Sequence, residues 1–537
     1  MIIENGIVKS KSPDVNYYEN QEFQVYFQGV IYIPYIKSGI ESIKKILTGI
    51  KNNKINNTAD IRGHFFIFII NKTNNYKYFF IDNTGIFKAF IHENVISNSL
   101  LELARYLNFD RSKLNFNAIV GFLHFGFIYF DHTFFENISR IDKNKIIASN
   151  QNHEQIIEDK GLEKINQPID LDIIDFFKGF YEAVKEKKIS FDLTGGTDSR
   201  LLVSLMTYLN ADFELAVSGI KGHKDIEIAR DISHVLKKDF FVSYHNIEDI
   251  TDEFLKDFFY LTDAQIDLVS YHRKHQLILQ RKERGIDVQI NGAGGSLYKD
   301  YWWLQDFPFY HKKRGNIEKL YDLRFEPLIY PHDQLGDQTK LISQNLRDNT
   351  IKKLYEYQAE TNTQTYDNVS YNYKDQGSKG TFVTIGSQIL DTYAPLLELD
   401  LVRFGFGLKR RKRFFNNFHR EIISTYCPII SKIKTNEGVT CSSKISDKLK
   451  DLVGYMLDKQ KRLTKQILRK ILKKTYFQES PTDPGIFKKV AGLDIFKNQI
   501  PLLKEYGIIN KDLKIEDMRD NDIGKFLVIG LLLRELE

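Results

Sequence analysis

Short apolar and aromatic runs broken by polar turns fill the first 150 residues. Phe23–Phe27, Val30–Ile36, His64–Ile70 and Tyr76–Ile81 have strand length, and Asn71–Asn75 turns between the last two. Runs of this length and makeup predict the strands of a layered sheet domain. The polar stretch Asn150–Gln167 predicts a linker. From about residue 170 the rhythm changes. Ile189, Phe191 and Leu193 alternate as in a strand, and Leu201, Leu202, Leu205 and Leu209 recur at helical spacing. A strand over Phe213–Ser218, a helix over Asp225–Leu236, a strand over Asp239–Tyr244 and a fourth through Ile286, Val288 and Ile290 continue the alternation. Such alternation predicts a parallel sheet in a doubly wound α/β domain. The expected organisation is a sandwich over 1–150, a linker over 151–170, and an α/β domain over 171–537 whose part beyond about 380 is a helical lobe.

Composition narrows the function classes. The 76 Lys and Arg against 70 Asp and Glu leave a net charge of +6, too mild to indicate a nucleic-acid partner. Two cysteines, Cys427 and Cys441, exclude a disulfide framework or a zinc site built on Cys pairs. Apolar runs such as Phe526–Leu533 fall far short of the roughly 18 residues that span a bilayer, so no membrane partner is expected. The first residues carry an early acid and no long apolar stretch, so a cytoplasmic protein is expected.

The residues that carry chemistry lie between the first α/β strand and its helix: Asp192-Leu193-Thr194-Gly195-Gly196-Thr197-Asp198-Ser199-Arg200. Two adjacent glycines at such a turn let backbone N–H groups face an anion. The following helix aims its positive dipole end at the same point. Thr194, Thr197 and Ser199 add hydroxyl donors. Asp198 is the odd member, because an acid in a phosphate nest repels its ligand unless Mg²⁺ lies between them. A bare Gly-Gly would fit an ordinary packing turn, whereas the full string predicts phosphate binding. It is not a Walker loop, since the Gly-Lys-Ser/Thr ending is absent.

This string resembles the pyrophosphate loop, Ser-Gly-Gly-x-Asp-Ser, of the asparagine synthetase and β-lactam synthetase superfamily, with Thr194 for the leading Ser. Ala216-Val217-Ser218-Gly219 and Asp225–Ala229 follow as in relatives. Asn291-Gly292-Ala293-Gly294-Gly295-Ser296-Leu297-Tyr298 is similar to the family's second glycine loop, and Ala394–Asp400 to its helical lobe. The stretch His419–Thr440 resembles the segment that delivers an active-site lysine, with Lys434 the better match and Lys432 the fallback. Arg62-Gly63-His64-Phe65-Phe66, Asp82-Asn83-Thr84-Gly85 and Thr133–Ile138 resemble the glutaminase-type domain of asparagine synthetase. The resemblance implies an Ntn-type αββα sandwich followed by a PP-loop (adenine nucleotide α-hydrolase-like) synthetase domain. It implies ATP held by Leu193, Thr194, Gly195, Gly196, Thr197, Asp198, Ser199, Val217, Asn291 and Gly292. Asp198 would hold Mg²⁺, and Lys434 and Asp198 would be catalytic. Such enzymes adenylate a carboxylate, which an amine then attacks to give an amide.

Three positions depart from the family pattern. Ile2 stands where a glutaminase of this type has its nucleophilic Cys, so no ammonia is expected from glutamine. Ala293 stands where relatives have a Glu or Tyr that helps deprotonate the amine, and Ser296 where they have a Mg²⁺-binding carboxylate. Glu398, Asp400 or Tyr298 are the candidate substitutes for the base. Elsewhere, Lys459–Lys474 is basic around Leu463, Ile467 and Ile471, which predicts a solvated helix with an apolar seam on the lobe, the alternative being a groove for an acidic partner such as a leader peptide, glycan or RNA. His124 and His132 lack metal-ligand spacing and are expected to be structural. Tyr301-Trp302-Trp303 fits an acceptor-pocket wall and aromatic packing equally well. The function expected is an ATP-dependent, AMP-forming amide ligase taking a small-molecule or peptide substrate with a carboxylate and an amine. The alternatives are a nucleotide-binding pseudo-enzyme and an RNA-modifying ATP pyrophosphatase. Oligomeric state, a homodimer included, is left open.

Overall fold

Period-two alternation builds the first domain in four layers. The computed structural model describes residues 1–51, 54–130, 132–150, 154–306, 309–472 and 484–537. Two antiparallel sheets, of five and six strands, lie face to face. Ile3 and Ile96 of one meet Phe66, Phe68, Phe79 and Ile81 of the other. Their neighbours point the opposite way. Ile2, Phe90 and Val95 pack under helices Leu100–Tyr106 and Phe116–Phe125, and Phe65, Ile67 and Phe80 pack under helix Ile40–Thr48. The two apolar runs expected over 23–36 merge into one strand, Phe23–Tyr32, paired along its length with Arg62–Asn71. At Gly63 (φ +113°) these two strands approach so closely that a Cβ would fall 1.8 Å from the Val30 carbonyl oxygen.

The sandwich continues past the expected boundary at 150. Gln155–Asp159 pairs with Lys145–Ser149 as an edge strand, so the connection to the next domain is shorter than 151–170. Its exposure along almost the whole length and its polar residues Gln155, Glu158 and Asp159 suit an edge and hide it from a reading of apolar runs.

The second domain holds a parallel five-stranded sheet in the order Phe240–Tyr244, Glu214–Gly219, Ile189–Asp192, Val288–Ile290, Asp391–Tyr393. The first four strands lie where the sequence predicts them. The fifth, Asp391–Tyr393, has only three residues and too little pattern to read. Helix Asp198–Tyr208 covers the sheet with Leu201, Leu202, Leu205 and Met206 against Phe191, Leu215 and Ile290.

The mostly helical part of the second domain begins earlier than residue 380, with Ile317–Arg324, and includes the π-helical run Ser370–Lys379. Its helices do not form one terminal lobe. Helix Ile523–Glu535 returns to the sandwich, where Phe526 and Leu527 share a core with Leu103, Ile119 and Phe122. The Phe526–Leu533 run is therefore a buried helix, and among the described residues no helix is long and apolar enough to cross a membrane. The two domains also meet directly. Tyr32 and Tyr393 share a hydrogen bond of 2.8 Å, and Arg62 pairs with Asp400 at 2.7 Å. His124 is structural as expected: Nδ1 accepts from the Tyr330 N–H at 2.9 Å and Nε2 lies 2.8 Å from Ser343 Oγ. Trp302 and Trp303 pack in an aromatic core, with Trp303 Nε1 donating to Asp367 at 3.1 Å, and Tyr301 lines a cavity.

Candidate functional site

From strand Ile189–Asp192 the chain steps outward through two strands, then returns to its other flank with Val288–Ile290. That reversal is a topological switch point, where open α/β sheets leave a crevice at the carboxyl ends of the strands. Both glycine loops rise there. Gly292 approaches Ser199, where a Cβ would meet the backbone N at 2.8 Å, and Gly295 lies against the Asp198 carboxylate. The two loops predicted from sequence are thus in contact.

The third predicted piece joins them. Arg200, fully buried, donates from Nη1 to the Ile433 carbonyl at 2.5 Å and from Nη2 to that of Lys434 at 3.4 Å. Asn436 donates its N–H to the Gly195 carbonyl at 3.0 Å. A cavity of about 220 Å³ opens between the pieces, lined by Gly196, Thr197, Lys299, Thr435 and Asn436 and also by the acidic residues Asp300, Glu437 and Asp458.

The donors differ from those expected. Gly195 N–H is turned to Asp225 Oδ1 at 3.1 Å, and Gly196 N–H to Thr194 Oγ1 at 3.3 Å. Ser199 Oγ accepts from the Thr194 N–H at 3.2 Å. The loop N–H groups are therefore engaged within the protein. Thr197 Oγ1, Thr435 Oγ1 and Asn291 Nδ2, which lie at the loops, are three of the polar atoms buried without a hydrogen-bond partner among the described residues. Their residues are 7, 2 and 8% exposed. Buried polar atoms without partners are costly and rare, and these flank the start of helix Asp198–Tyr208, whose first N–H groups have no intrahelical acceptors. The arrangement suits an anion with several oxygens.

Asp198 sits at the centre. Its Oδ1 lies 2.7 Å from Lys299 Nζ and 2.8 Å from His419 Nε2. Burial would raise its carboxyl, but Lys299 and His419 outweigh burial and hold it well below the usual carboxylate range. Burial pushes the His419 imidazole down. Among the described residues, no three His, Cys, Asp or Glu side chains form a metal-binding group. One carboxylate does stand near: Asp375, on the π-helical run, accepts from Ser296 Oγ at 3.4 Å. Burial raises it to about 6 against the pull of Lys374 and Lys379, and the charge of Asp198 adds to the rise.

Other predicted residues are placed differently. Leu193 and Val217 are core side chains, so only their backbones can meet a ligand. Lys434 is exposed, and the cation on the cavity wall is Lys299. The three candidate bases are engaged elsewhere. Tyr298 OH donates to the Leu401 carbonyl at 2.8 Å, Glu398 accepts from the Gly63 N–H at 2.6 Å, and Asp400 pairs with Arg62. Lys299, Asp375 and Thr435 were missed. Lys299 directly follows the second loop and Thr435 follows Lys434, so adjacency was a usable signal for both. Asp375 carries no motif. No family model matches the chain, and neither does any curated protein.

Proposed function

We propose that the chain is an ATP-dependent, AMP-forming ligase that activates a substrate carboxylate for attack by an amine. The observation that supports it is the meeting of two glycine loops and the 432–438 segment at the switch point, around a cavity flanked by partnerless Thr197 and Thr435 hydroxyls. In this reading the polyphosphate lies over the start of helix Asp198–Tyr208, with hydrogen bonds from Thr197 and Thr435 and charge from Lys299. Asp198, with Asp375 nearby, would hold Mg²⁺, which would supply charge neutralisation for the phosphates. Asp375 then replaces the carboxylate that the second loop lacks at Ser296. Lys274, Lys374 and Lys379 sense one another's charge, and burial, first among the causes, brings Lys274 down to about 7. A substrate carboxylate placed among these ammonium groups would be held by charge-assisted hydrogen bonds.

The test is product analysis. Incubation with ATP, Mg²⁺ and candidate acid and amine pairs should give AMP and pyrophosphate. ADP and phosphate in their place would refute the assignment. A second reading, a nucleotide-binding pseudo-enzyme, has one observation in its favour: Lys299 already neutralises Asp198. Tight binding of Mg²⁺-ATP with no exchange of pyrophosphate into ATP, with every acid tried, would favour it.

A further inference from the structure

Helix Ile445–Leu472 is fixed to the body by its polar residues and turns apolar ones to solvent. On its inner side Asp451 accepts from Arg420 Nη1 at 3.1 Å and from the Thr440 N–H at 3.0 Å, and Tyr455 OH donates to Asp300 at 2.8 Å. On its outer side Ile445, Leu449, Val453, Met456 and Leu457 are 77, 62, 65, 40 and 51% exposed. With 3.6 residues per turn these five fall in one sector of roughly 120°. Lys448 borders that sector on one edge, and the exposed Lys450 and Lys461 border it on the other. Leu463 is in line with Ile445. The seam expected at Leu463, Ile467 and Ile471 lies further along the helix, where Leu463 is half-buried. The side chains of Ile467 and Ile471, and residues 473 and 474, lie outside the described residues.

We propose that this face docks on an anionic phospholipid surface. The helix would lie in the interfacial plane, its aliphatic stripe in the acyl boundary and its lysines at the headgroups. That no helix among the described residues is long and apolar enough to cross a bilayer says nothing against one lying on its surface. Two observations favour lipid over protein. Protein interfaces are enriched in aromatic residues and depleted in lysine, and this face is aliphatic with lysine borders. A second copy would bring two basic edges together, a like-charge arrangement that costs free energy. The proposal does not depend on the ligase reading.

The experiment is co-sedimentation of the full chain with vesicles of phosphatidylglycerol and phosphatidylcholine, or of phosphatidylcholine alone. Anionic vesicles should retain the protein about tenfold more strongly, and added salt should weaken retention. Leu449→Glu with Val453→Glu should reduce it about tenfold at unchanged circular dichroism. Lys450→Glu with Lys461→Glu, a charge-only change at exposed positions, should reduce it several-fold and keeps the test decisive if the apolar variant melts early. No retention on anionic vesicles, retention untouched by both variants, or a lipid-free dimer abolished by the Leu449→Glu change would each overturn the proposal.

Discussion

Gly295 lies so close to Asp198 that a Cβ at position 295 would fall 2.1 Å from the carboxylate carbon. The second glycine loop is therefore the wall that holds Asp198 against Lys299 and His419. Gly295→Ala must push the carboxylate or the loop aside, an overpacking change of about 1–3 kcal/mol. A fall in melting temperature together with weakened Mg²⁺-ATP binding is expected. Unchanged melting would show that the loop yields freely.

Gly196 gives the opposite case. A Cβ there meets nothing nearer than Thr194 Oγ1 at 3.4 Å, an ordinary contact, whereas at Gly195 it would meet Asp225 Oδ1 at 2.6 Å. The sequence alone suggests that both glycines serve an anion nest; the packing requires only Gly195. Gly196 lines the cavity, so a methyl group there intrudes on a ligand and not on the protein. Gly196→Ala should melt like the parent and bind ATP at least about tenfold more weakly, measured by calorimetry. Full affinity would remove the phosphates from this cavity.

Glu398 predicts a pH dependence at the junction of the domains. Burial raises it to about 8, with Arg62 pulling the other way and the Gly63 N–H donating to it. Below the ordinary glutamate range both states carry the proton. Between there and pH 8 the unfolded chain loses it while the folded chain keeps it. Stability from this group therefore falls by up to about 1.4 kcal/mol per pH unit and levels off above 8. Glu398→Gln keeps the oxygen that Gly63 needs and removes the titration. Its advantage in chemical denaturation should grow from pH 5 to pH 8, and an advantage flat with pH would contradict the assignment.

The parts of the fold legible in sequence were those with strong periodicity: the sandwich strands, four parallel strands and the helix after the first loop. Asp391–Tyr393 was too short to read and Gln155–Asp159 too polar. Apolar periodicity says that helix Ile523–Glu535 is buried, not which surface buries it, so the sequence assigns the end of the chain to a helical lobe of the second domain, whereas the helix packs on the sandwich. At the site, residues tied to a motif were brought together. Asp375 was invisible, since only a turn of π-helix brings it to a serine 79 residues away. The resemblance points to Lys434, with Lys432 the fallback, and not to Lys299, because a backbone match says nothing about which way a side chain points.

The sandwich should not hydrolyse glutamine. Ile2 is a core residue of the first strand, and the chain's two thiols, Cys427 and Cys441, are buried in the second domain, where burial raises both above the ordinary thiol range. Glutamate release should match the buffer rate. Release abolished by a thiol alkylator would overturn this.

The last prediction separates the two lysines. Lys299 touches Asp198 from the cavity wall, whereas Lys434 is held through its carbonyl by Arg200 and is exposed. Lys299→Met removes a charge beside the bound phosphates in every state, and it leaves Asp198 paired with His419 alone. ATP affinity should fall strongly, and the pH at which Asp198 protonates should rise. Lys434→Ala should leave ATP affinity within about twofold. If Lys434 swings in only as the adenylate is attacked, its loss lowers kcat without changing ATP binding, because its charge is used in the transition state. Calorimetry on both variants, with single-turnover kinetics on the second, decides between them. A collapse of ATP affinity in Lys434→Ala with none in Lys299→Met would reverse the assignment and put Lys434, not Lys299, at the phosphates.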